Sequence, residues 1–204
     1  MIRIAMAFRN QQAFDDPASK LGATGVNTRK PVSITDSRGN ALAHLATGGL
    51  ISPVRHEVRI GAKIFRFGAG SKGVAGVAAG AWWLDQEAFD HVYRAAQVWE
   101  LSIGMAARLL CLVPPEWSDM TLLVRARALE PLLAWRGLAN SVVTPAKGGG
   151  PKAQMPHQNE TPSRRLSQLY IPGLGAPMGT RPAIQIEQEF PLDKDAGLRG
   201  FLYL

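Results

Sequence analysis

Arg66 sits inside the alternating apolar run Lys63-Ile64-Phe65-Arg66-Phe67, and Gln185-Ile186-Glu187-Gln188-Glu189 places two carboxylates two residues apart near the other end of the chain. A strand arginine stays charged at all relevant pH, and its guanidinium fork matches phosphate geometry. Carboxylates at i and i+2 of a strand share a face, where one could accept a ribose hydroxyl while the other faces a developing positive charge. Between these lie the G-x-G-x-x-G stretch Gly68-Ala69-Gly70-Ser71-Lys72-Gly73 and the pair Trp82-Trp83. Each has a plainer reading: glutamates solvating an exposed strand face, tryptophans in the core, and a glycine-rich loop joining a strand to a helix. No Walker A frame surrounds Lys72 and no G-x-S-x-G elbow occurs. The histidines at 44, 56, 91 and 157 have no ligand spacing to one another, to Cys111 or to carboxylates, so no metal centre is expected.

The elements that must position these groups follow from periodicity. Residues 10–40 are polar and turn-rich and read as an arm wrapped on the core, residues 1–40 forming an N-terminal arm. Ala41 to Thr47 reads as one or two helical turns, with Leu50-Ile51-Ser52-Pro53 as a chain entry. Val58 to Phe67 alternates as one strand, with Val58, Ile60, Ala62, Ile64 and Arg66 on one face. Asp85 can cap a helix whose Phe89, Val92, Ala96 and Trp99 form an apolar stripe. Ser102 can cap a second, turning Met105, Leu109 and Leu112 inward before Pro114-Pro115. Thr121 to Gly137 reads as strand split at Pro131, residues 144–165 as a mobile loop, and Ala183 to Phe190 as the last strand.

Composition sets the frame. The chain has 204 residues, 46% of them hydrophobic, with 21 glycines and 14 prolines, which argues for a single loop-rich domain. The expected fold is a compact α+β domain with a small, mostly antiparallel split sheet flanked by helices. One cysteine excludes an internal disulfide, and Cys111 within Leu109 to Val113 reads as a small buried hydrophobe. Neither a signal peptide nor a membrane-spanning run is legible, so no membrane insertion is expected. The expected location is the cytoplasm, or a target cell reached by a route that needs no signal peptide. The net charge of +7 permits anionic partners, but the basic residues are scattered.

Taken in order, the strand around Arg66, Trp82-Trp83 before the Phe89 helix, Trp135-Arg136-Gly137 and the terminal Gln185 to Glu189 resemble the ADP-ribosyltransferase superfamily, including its small bacterial toxin-like members. The resemblance implies an NAD-consuming enzyme of toxin or effector type, transferring ADP-ribose to a macromolecular acceptor (protein or nucleic acid) or hydrolysing NAD. It implies Arg66 on the NAD phosphates, with Trp82, Trp83 and Ser71 among the cofactor-binding residues and Glu187 or Glu189 as catalytic glutamate. A cognate immunity or antitoxin protein would be the partner of a toxic member. The chain lacks the family's S-T-S triplet; Ser141-Val142-Val143-Thr144 is the nearest stretch. The alternative is a non-catalytic basic module binding nucleic acid or protein through Arg29-Lys30, Lys147, Lys152 and Arg164-Arg165. A third is a structural or inhibitor-like protein in which Arg66 pairs with the late glutamates and no ligand-sized cleft exists.

Overall fold

Near the start of the chain a proline opens a helix and an aspartate caps it. The computed structural model describes residues 8–27, 33–35, 37–38, 41–44, 46–145, 152–175 and 181–192. After α1 (Gln11–Asp15), Asp16 accepts the Ala18 amide and opens α2 (Pro17–Ala23). These helices dock on the sheet: Phe14 stacks on Trp135 at 4.5 Å, and the Trp135 indole donates to Ser19 Oγ. Buried Asn10 bonds the Leu133 backbone in both directions. Asn10, Phe14 and Ser19 of the expected arm thus pack directly on the sheet, whereas Arg29 and Lys30 lie outside the described residues. A short ladder joins β1 (Ser33–Thr35) to β2 (Ala41–His44), so residues 41–44 are strand where helical turns were expected.

β3 (Leu50–Val58) takes in the expected chain entry, with a register shift between Ile51 and Val54 at Ser52-Pro53. The strand lies at a sheet edge, where proline costs no ladder bond. Val58 to Phe67 is two strands. β3 stops at Val58, a turn with Gly61 at φ 81° intervenes, and β4 (Lys63–Gly68) begins, leaving Ile60 59% exposed. The glycine-rich stretch forms a 3-10 turn at Gly70–Lys72 and then α3 (Gly73–Ala78), followed by β5 (Trp82–Asp85). Asp85 caps α4 (Gln86–Val98) through the Ala88 amide, and Ser102 caps α5 (Ile103–Cys111) through Met105. Met105 and Leu112 are buried but Leu109 is 39% exposed, because α5 turns only part of its apolar surface to the sheet. The chain continues through β6 (Leu122–Ala128), β7 (Leu132–Ala139), β8 (Val142–Pro145), β9 (Lys152–Met155), β10 (Ser167–Tyr170) and β11 (Ile184–Pro191). β8 pairs with β9, so part of the expected mobile loop is a hairpin, and Lys147 lies outside the described residues.

Seven strands form an antiparallel sheet in the order β11-β6-β4-β5-β10-β7-β3. This is the expected α+β class. β4 and β5 are antiparallel, which rules out a parallel βαβ dinucleotide-binding turn at Gly68–Gly73. The sheet is forked. β4 pairs with β6 at all six positions from Lys63 to Gly68, but with β5 only at Ile64–Asp85 and Phe65–Leu84. Beyond Phe65 the arms separate, one staying with β6 and the other with β10. The cause is the connection: α3 wedges into the open end, with Val77 1% exposed and so close to Gly68 that a Cβ there would meet its methyl at 2.7 Å. Below the fork, Val58, Trp83, Leu132, Ala134 and Leu169 of one arm share a core with Ile64, Val124, Ala126 and Ala128 of the other. On the opposite face, α4 and α5 cover Phe65, Leu84 and Leu123.

Candidate functional site

The fork opens into a cavity of about 580 Å³, within the range of small-molecule sites. Phe65, Arg66, Phe67 and Gly68 line it from β4, Trp82, Trp83 and Leu84 from β5, and Gln168 and Tyr170 from β10. Cys111, Leu112, Trp117 and Met120 contribute from α5 and the following loop, and Gly22, Gly25, Gly48 and Gly49 from the N-terminal layer.

Arg66 spans the fork: its Nη1 donates to the Trp82 carbonyl, its guanidinium lies against Gly80, and its Nε is buried with no hydrogen-bond partner. Among the described residues it forms no ion pair with a carboxylate. Burial lowers its pKa to about 10, below the ordinary arginine value. Isolated buried charges are costly, and folded chains normally pair them. Lys72 lines the same cavity, so an anion there would meet two cations. The aromatic walls are held firmly: Trp83 is 1% exposed with its indole donating to Gly80 O, and Trp82 meets Tyr170 edge-on at 5.0 Å. Trp83 therefore belongs to the core and to the wall together.

Of the expected site residues, the structure brings Arg66, Trp82 and Trp83 to the cavity. Ser71 is exposed on the 3-10 turn and outside the lining, where Ala69 and Lys72 contribute instead. Neither Glu187 nor Glu189 lines the cavity, and they do not share a face. A bulge between Ile186 and Gln188 shifts the register of β11 on β6, and a one-residue slip reverses the side chains beyond it. Glu187 turns to Arg125, 3.1 Å away, and Arg127, and the hydrogen bond from Arg127 lowers its pKa below the usual 4.5. Exposed Glu189 pairs with Val124, which pairs with Arg66. These three form one rung, so Glu189 and Arg66 share a face with Cα atoms roughly 10 Å apart, two strand spacings.

Sequence reasoning missed Tyr170, Gln168 and Trp117, which come from segments without a motif. Of the expected basic surface, Arg164 engages Gln158 and lies over the Trp99 ring, while Arg165 donates to Asn159 O. Among the described residues no group of three His, Cys, Asp or Glu side chains could hold a metal, and no helix is long and apolar enough to cross a membrane. Cys111 is half-buried, and burial raises its pKa to about 12.

No protein-family model and no curated protein matches the chain. Among solved structures it is similar to one described as "Rhs1-CT in complex with cognate immunity protein RhsI1", at a TM-score of 0.38 and 12% identity, covering 70% of this chain and 83% of that chain. A likeness that distant does not bear on function.

Proposed function

We propose that the forked cavity binds NAD and that the protein cleaves its nicotinamide–ribose bond, as an ADP-ribosyltransferase-like enzyme of toxin or effector type. The observation that carries this reading is Arg66, a buried cation with no carboxylate partner among the described residues, set between aromatic walls. A pyrophosphate would supply the missing anion, and the walls suit a planar ring. In the reaction the C1′–N bond breaks, its electron pair leaves with nicotinamide, and water or an acceptor group attacks C1′ and releases a proton. Positive charge builds on the ribose in the transition state, where a carboxylate is stabilising. Neither glutamate lines the cavity; the role is assigned to Glu189, which shares the face and rung of Arg66, and not to Glu187, which is held by two arginines.

The test is nicotinamide release from NAD by purified wild type, Arg66→Ala, Glu189→Gln and Glu187→Gln, with and without cell lysate. Release lost in Arg66→Ala and Glu189→Gln but kept in Glu187→Gln supports the proposal, and lysate dependence separates transfer from hydrolysis. No release by wild type under either condition overturns it in favour of a binding module.

A further inference from the structure

We infer that Trp117 is the stacking platform for the second base of a dinucleotide, so that the cavity selects a dinucleotide over a mononucleotide; the inference rests on the NAD reading of the cleft. The lining runs continuously from Arg66 to Trp117 through successive contacts. Trp82 meets Tyr170, the Tyr170 hydroxyl lies over Gly22, the Gly25 carbonyl accepts the Thr47 amide, and the far edge of the Trp117 ring rests on Gly48. Beside Trp117 the wall is glycine backbone with the Val142 methyl next to it. Gly25, Gly48 and Gly49 have φ of 86°, 68° and 81° and interlock so tightly that a Cβ on Gly25 would meet Gly48 O at 2.5 Å, a packing that only glycine permits.

Trp117 is 43% exposed although its loop is rigidly held. Arg108, fully buried, donates to Val113 O at 2.8 Å and Ser118 O at 2.9 Å, clamping both ends of the loop, and the Trp117 amide closes a turn on Pro114 O. A pre-positioned, half-open indole in a cavity wall is the arrangement that stacks a base at little ordering cost. Asn27 and Asn140 line the cavity near the same glycines; the Asn140 backbone amide donates to Gly49 O and its side-chain oxygen accepts from the Ser141 amide. A mononucleotide would occupy the Arg66 and Trp82 end alone.

The experiment is calorimetric titration of wild type, Trp117→Ala and Trp117→Phe with NAD and with nicotinamide mononucleotide. Base–aromatic stacking predicts that Trp117→Ala weakens NAD binding by about 5- to 150-fold, leaves the mononucleotide within about twofold, and is largely rescued by Trp117→Phe. Equal weakening of both ligands, or no change for NAD, overturns the inference while leaving the NAD reading in place. A wild type that binds neither ligand overturns the NAD reading itself, and the inference with it.

Discussion

Replacing Arg66 by Met keeps most of the side-chain length and removes the charge. Its pKa, lowered by burial to about 10, means, at about 1.36 kcal/mol per tenfold change, that keeping the group charged inside the fold costs roughly 3 kcal/mol. Its hydrogen bond to the Trp82 carbonyl returns about 1.5–3 kcal/mol, as bonds to charged groups do. The two terms nearly offset, so Arg66→Met should lie within about 1.5 kcal/mol of wild type in urea denaturation. Breaking a buried ion pair would instead cost about 3–5 kcal/mol. The sign of the pH dependence follows from the lowered pKa. The folded chain gives up this proton before the unfolded chain does, so wild type gains on the variant only as pH rises above about 10. The difference should therefore be flat between about pH 6 and 9. NAD titration of the same variant should show binding weakened by at least about 30-fold, the loss expected when a buried charged contact is cut. Destabilisation beyond about 3 kcal/mol, or unchanged NAD affinity, would refute the argument that Arg66 is held for a ligand and not for the fold.

Gly80→Ala places a methyl on the Arg66 guanidinium and should push it off the Trp82 carbonyl. Urea titration should show about 1–3 kcal/mol of overpacking, and NAD affinity should fall without any change of charge; unaltered affinity would mean that the guanidinium has room to move. Glu187 has its pKa lowered chiefly by the Arg127 hydrogen bond, so its stabilising contribution is present above its unfolded pKa near 4.5 and is lost as pH falls through the folded value. Glu187→Gln should accordingly be less stable than wild type at neutral pH and converge with it in acid, as thermal melts across pH would show. Cys111, its pKa raised to about 12, should react with iodoacetamide at pH 8 at least about 100-fold more slowly in the folded chain than in urea, since only the thiolate reacts. Rapid native labelling, followed by mass spectrometry, would contradict that placement.

Local signals were legible wherever one residue or one short period decides the outcome. The capping side chains of Asp85 and Ser102, the apolar stripe through Val92 and Ala96, the break at Pro131 and the last strand all read directly, because caps and periodicity act within a few residues. Arg66 with Trp82 and Trp83 was likewise visible as chemistry out of place in apolar surroundings. Three things were not. Residues 41–44 became strand because a partner strand was present, and Val58 to Phe67 divided because a turn at Gly61 allows β4 to join the other arm. The two glutamates parted because β11 bulges against β6. Strand pairing joins residues distant in the chain, so register, forks and bulges are properties of two or more segments together. The same reason decided the site: the sequence determined a cation and aromatic rings in order along the chain, and only the tertiary structure determined that the sheet splits between β4 and β5. That split leaves Arg66 buried with no carboxylate partner among the described residues and brings Tyr170 and Trp117 to the cavity around it.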